Sequence, residues 1–133
     1  MVGILIVAHG ALGKSLIDCT THVFGTRPAQ LEQLEIGPDQ DPQELLTRAK
    51  NLLSQLDQGD GVLILSDLLG ATPCNIVCQV LNPGRVEGVS GVNLSMLMRA
   101  ITYRRESLPT IVQKAMKGGV DGIQHLANKN AAT

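Results

Sequence analysis

The chain is almost without aromatic residues: one Phe, one Tyr and no Trp among 133 residues. Little is therefore available to stack on nucleobases or sugar rings, and the core has to be built from Leu, Ile, Val, Ala and Met. An excess of either charge is lacking too. Eleven Lys and Arg stand against twelve Asp and Glu, a formal net charge of −1. Neither a basic face for nucleic acid nor an acidic tail is advertised. No apolar run approaches the length of a transmembrane helix. Met1 to Ala8 is apolar but too short for a secretory leader and has no basic start. Of three cysteines, Cys74 and Cys78 are four apart, a helical spacing rather than a CxxC pair. These absences predict a cytoplasmic protein with reduced thiols, no nucleic-acid partner and no membrane insertion. Neither a Walker A loop nor a GxGxxG turn occurs. His22 and His125 have no Cys or His at ligand spacing, so neither a metal nor a cofactor is expected.

Apolar residues make up 44% of the chain and charged residues 17%, the balance of a globular domain. Residues 1–127 read as one domain and 128–133 as a loose tail. Val2 to Ala8, Leu31 to Ile36, Gly61 to Ser66 and Val86 to Val92 read as strands, and the first and third are apolar throughout. Helices fall between them. Leu12, Leu16, Cys19 and Val23 repeat at helical spacing ahead of Gly25. Asp41-Pro42-Gln43-Glu44 opens a helix with an acceptor, then Pro, then an acid. Thr72-Pro73 opens another that Asn82-Pro83-Gly84 ends. Leu94 to Tyr103 and Leu108 to Ala127 follow, the last weakened by Gly118, Gly119 and Gly122.

This alternation predicts an α/β fold. Three layers, α/β/α, enclose a central, mainly parallel sheet of four to five strands in the order 2-1-3-4. Ligand sites in such sheets lie at the carboxyl ends of the strands, beside the switch in strand order. His9 follows the first strand and Asp67 the third, so the order makes them neighbours. By itself His9 equally fits a helix-capping histidine, and Asp67 a turn residue. Together they suit a histidine whose one ring nitrogen is held by a carboxylate while the other acts as nucleophile or ligand. The loop Gly70-Ala71-Thr72-Pro73-Cys74-Asn75 leads into a helix N-terminus, where free amides favour an anion. Nucleophilic histidine, carboxylate and anion cradle suit phosphoryl transfer through phosphohistidine.

Ile4 to Gly10 (ILIVAHG), Gly61 to Asn75 (GVLILSDLLGATPCN) and Gly91 to Leu97 (GVNLSML) resemble the EIIA domains of the mannose family of the bacterial phosphotransferase system, in the same order and spacing. The resemblance implies that His9 accepts phosphate from phospho-HPr, through Nε2, and passes it to an EIIB partner or uses it for regulation. It implies that Asp67 orients His9 and that Gly70, Ala71 and Thr72 bind phosphate. Thr72 stands where the family often has serine, Ala71 where it often has glycine, and Leu69 where some members have an aromatic. A homodimer and a free-standing EIIA are expected. Leu69 and Pro73 are expected as exposed partner-docking contacts. A rival reading, a small sirohydrochlorin-type chelatase using His9, also begins with an apolar strand ending in HG. It lacks the Ser-Arg that often follows there, because Ala11-Leu12 stands in its place.

Overall fold

The computed structural model describes residues 1–127; the expected tail, 128–133, lies outside them. In chain order the elements are β1 (Gly3–His9), α1 (Leu12–Phe24), β2 (Leu31–Ile36), α2 (Pro42–Leu56), β3 (Val62–Ser66), α3 (Thr72–Val80), β4 (Val86–Val89), α4 (Leu94–Thr102) and α5 (Leu108–Asp121). The four strands form one parallel sheet in the order β2-β1-β3-β4, as the alternation of elements predicts. Because successive side chains of a strand face opposite ways, the sheet feeds two cores. Ile4, Ile6, Leu63 and Leu65 pack with α1, α4 and α5. Leu5, Val7, Val62 and Ile64 pack with α2 and α3. Each strand of the central pair is therefore apolar up to its last residue, His9 in β1 and Ser66 in β3.

Local chemistry explains the element ends. Asp41 caps α2, its carboxylate accepting the Gln43 amide at 3.1 Å, with Pro42 in the first turn. Leu45, Ala49, Leu53 and Leu56 then face the sheet. Asn93 caps α4 by accepting the Met96 amide at 2.8 Å, and its Nδ2 donates to the Gly119 carbonyl of α5.

Four details depart from the sequence reading. The face of α1 that is buried is Gly13, Leu16, Ile17 and Thr20, which leaves Leu12 and Val23 exposed. Small residues decide this: a Cβ on Gly13 would sit 3.0 Å from Gln33 Cβ, so the helix backbone lies close on β2. β4 stops at Val89, and residues 91 and 92 instead bond back to the end of β3. α5 runs unbroken through Gly118 and Gly119 and ends at Asp121. Arg104, whose charge alone would place it at the surface, is buried; its guanidinium donates to the carbonyls of Val2, Ala29 and Gln30, tying the β1 and β2 starts to the end of α4. Burial pushes its pKa down to about 10.

Candidate active site

His9 is the last residue of β1 and pairs in register with Ile36, while Val7 pairs with Ser66, the last residue of β3. Asp67 follows Ser66 directly, so the parallel register sets it beside His9. Gly10 turns the chain away at φ +51°, and its amide bonds the Ile36 carbonyl at 3.0 Å. The ring stays open: the His9 side chain is 53% exposed and that of Asp67 13%.

His9 Nδ1 lies 2.7 Å from Asp67 Oδ2. The same oxygen accepts the His9 amide at 2.9 Å, and Oδ1 accepts the Leu68 amide at 2.7 Å. Burial works to raise the Asp67 carboxyl. The His9 amide, the His9 ring and the Leu68 amide outweigh it and hold the carboxyl below its ordinary value. An ionised carboxylate only accepts, so the shared proton belongs on Nδ1 and Nε2 keeps a free lone pair. The Asp67 backbone is held as well. Its carbonyl accepts the Gly91 amide at 2.6 Å and that of Ser66 accepts Val92 at 2.9 Å, with Gly91 at φ +80°. Sequence reasoning did not foresee this brace, although Gly91-Val92-Asn93 is the motif that carries it.

The loop 67–71 leads into α3. Ala71 is the cap residue, and no side chain caps the helix. The Thr72 and Cys74 amides therefore sit in a first turn without intrahelical acceptors, and Pro73 between them has none to offer. Thr72 and His9 line one groove of about 530 Å³ with Gly10, Ile36, Pro38, Gln40, Pro42 and Leu45. Gly70 and Ala71 stand in the turn before it, outside the lining. Leu69 projects, 75% exposed, and Leu68 is 66% exposed. Pro73 is buried and is no exposed contact: with Ile76 and Val77, three and four residues on, it forms the inward face of α3. His22 and His125 are exposed and lie on α1 and beyond α5. Cys74 is half-buried; Cys78 and Cys19 are exposed. Among the described residues no cluster of three His, Cys, Asp or Glu could hold a metal ion.

The family model described as the PTS system fructose IIA component matches residues 3–116. The chain belongs to this family of phosphotransferase-system EIIA components. It is similar to the PTS system mannose-specific EIIAB component of Escherichia coli K12, 26% identical over 131 residues, which are 96% of this chain and 40% of that protein. It is also similar to the transcriptional regulatory protein LevR of Bacillus subtilis 168, 24% identical over 124 residues, 90% of this chain and 13% of LevR. The chain thus spans two fifths or less of the length of these relatives. Among solved structures, the phosphotransferase-system component EIIA of Streptococcus agalactiae has a TM-score of 0.85 at 24% identity, covering 96% of this chain and 98% of that one. A PTS IIA protein associated with the fucose utilization operon of Streptococcus pneumoniae has a TM-score of 0.76 at 26% identity, covering 93% and 92%. Family membership gives the chelatase alternative no support. No helix among the described residues is long and apolar enough to cross a membrane.

Proposed function

We propose that this EIIA is a phosphocarrier whose His9 takes a phosphoryl group from phospho-HPr and gives it to an EIIB partner or uses it for regulation. The observation that carries the reading is the 2.7 Å contact between Asp67 and His9 Nδ1, which leaves Nε2 as the nucleophile. In the forward step the Nε2 lone pair forms the new N–P bond. The donor's N–P bond breaks, and its electron pair stays on the donor imidazole. The His9 ring, carrying both Nδ1–H and the phosphoryl group, becomes cationic, and the Asp67 carboxylate stabilises that charge. Transfer onward to EIIB is the same step reversed. Gly70, Ala71 and Thr72 are assigned to the phosphate: Gly70 and Ala71 shape the turn, and Thr72 offers a hydroxyl and a first-turn amide on the His9 side.

Leu69 is assigned to partner docking on the strength of its exposure beside the site. The whole of residues 1–127 acts as one EIIA unit. A homodimer draws support from the edge of β4, unpaired by another strand of the sheet among the described residues, where exposed Met116, Val120 and Ile123 line a groove of about 410 Å³.

The test is incubation with enzyme I, HPr and labelled phosphoenolpyruvate. The protein takes up label that is acid-labile and base-stable. His9→Ala abolishes uptake, and His22→Ala and His125→Ala keep it. Label surviving His9→Ala overturns the reading.

A further inference from the structure

The pairing of β3 with β4 ends at Leu65 and Val89. Beyond it, the carbonyls of Ser66 and Asp67 accept the Val92 and Gly91 amides at 2.9 and 2.6 Å. The Ser66 hydroxyl adds nothing to this hold: it is buried and has no hydrogen-bond partner among the described residues. The backbone that carries the Asp67 carboxylate is thus steadied, on the β4 side, by a segment that lies between β4 and α4 and belongs to neither.

Something has to hold that segment in turn, and Asn93 does so. Its side chain is half-buried and fully engaged: Oδ1 accepts the Met96 amide at 2.8 Å, and Nδ2 donates to the Gly119 carbonyl at 3.1 Å. One carboxamide therefore ties the segment to α4 and α5 at once, while Val92 packs on the core beneath. The path from there to the reacting atom is short and made of hydrogen bonds. It runs from Asn93 through the Gly91 and Val92 amides to the Asp67 main chain, and from Asp67 Oδ2 to His9 Nδ1 at 2.7 Å. Asn93 itself does not line the groove that holds His9 and Thr72. In-line transfer needs Nε2 aimed at the donor phosphorus, and a misplacement of about 1 Å at a reacting group can cost about 100-fold in rate.

We propose that Asn93 is a positioning residue for phosphoryl transfer: through the Gly91–Val92 brace it sets the main chain of Asp67, and with it the tautomer and aim of the His9 ring. The proposal rests on the phosphocarrier reading and adds to it a residue that touches neither the ring nor the phosphoryl group. A helix cap alone would explain the bond to Met96. It would not explain the second bond to α5, or why the capped helix begins where the brace ends.

The experiment is a double-mutant cycle on kcat for transfer from phospho-HPr, with Asn93→Ser and Asp67→Asn made singly and together. Serine keeps an acceptor at the start of α4, but its hydroxyl is too short to bond Gly119 as well. Asn93→Ser loses about tenfold in kcat, with KM for phospho-HPr within about twofold of the wild type. In the Asp67→Asn background the same substitution costs less than about twofold, because the carboxylate it acts through is gone. Equal losses in both backgrounds, or a folded Asn93→Ser with wild-type kcat, overturn the proposal. The unphosphorylated protein gives a second readout. Imidazole nitrogen-15 shifts, taken where the ring is neutral, show the proton on Nδ1 in the wild type and a shift toward Nε2–H in Asn93→Ser; unmoved shifts overturn the proposal. Amide exchange of the wild type needs no variant to fold: the Gly91 and Val92 amides are protected, and an unprotected Gly91 amide overturns the brace. Failure of the wild type to accept label at all defeats the phosphocarrier reading instead, and leaves the tautomer and exchange readouts to decide on the brace.

Discussion

Asp67 Oδ2 holds His9 twice, at the ring Nδ1 at 2.7 Å and at the main-chain amide at 2.9 Å. One carboxylate thus fixes both the direction of the imidazole and the end of the strand that carries it. Losing it costs geometry at two levels. Asp67→Asn keeps the shape but can no longer neutralise a cationic ring. Its kcat for phosphoryl transfer is expected to fall about 10- to 100-fold, while KM for phospho-HPr moves little. Rapid-quench measurement of labelled protein separates the two constants. An unchanged kcat would show that Asp67 does no more than terminate β3.

The depressed Asp67 carboxyl has a consequence for acid stability. Its folded pKa lies below the ordinary value of 3.8, so its ionised form stabilises the fold above that value. The contribution is lost as pH falls through the folded pKa. Thermal unfolding of the wild type and Asp67→Asn is therefore expected to differ most at neutral pH, with the gap closing below about pH 4. A gap that stays constant down to pH 3 would place the stabilisation elsewhere.

Leu69 lies in the β3–α3 loop, two residues after Asp67, and is 75% exposed. Little of its side chain is buried in the fold, so Leu69→Asp is expected to leave the melting temperature within about 2 °C of the wild type. A central apolar contact in a small transient interface carries much of its affinity, so KM for phospho-HPr is expected to rise about tenfold. Steady-state transfer kinetics beside a melting curve check both halves.

What could be read from the sequence followed from period and punctuation. The unbroken apolar runs of β1 and β3 predict strands covered on both faces, and parallel connection then places His9 beside Asp67 before any contact is known. What could not be read depended on tertiary partners. The Gly91 and Val92 amides that brace Asp67 and Ser66 come from the far side of β4, and nothing in their own neighbourhood signals the pairing. Arg104 reads as surface because charge alone does not reveal three backbone carbonyls converging on one guanidinium. Pro73 reads as an exposed loop residue until helical spacing joins it to Ile76 and Val77.

Glycine in α5 supplies the last test, because propensity and packing make opposite predictions there. Helix propensity alone favours Gly118→Ala by about 1 kcal/mol. In the structure a Cβ on Gly118 would sit 2.5 Å from Arg99 Cβ and 2.8 Å from Arg99 Cγ, and one on Gly119 would sit 2.9 Å from Met96 Cε. The two helices approach so closely that the small side of α5 is what lets α4 pack, with Asn93 bonding Gly119 across the seam at 3.1 Å. Overpacking of this kind costs about 1–3 kcal/mol, which cancels or exceeds the propensity gain. Gly118→Ala is thus expected to lower the melting temperature by a few degrees. Gly119→Ala, whose nearest neighbour is the flexible end of Met96, is expected to cost less. A stabilised Gly118→Ala would mean that α4 and α5 separate more readily than their contact implies.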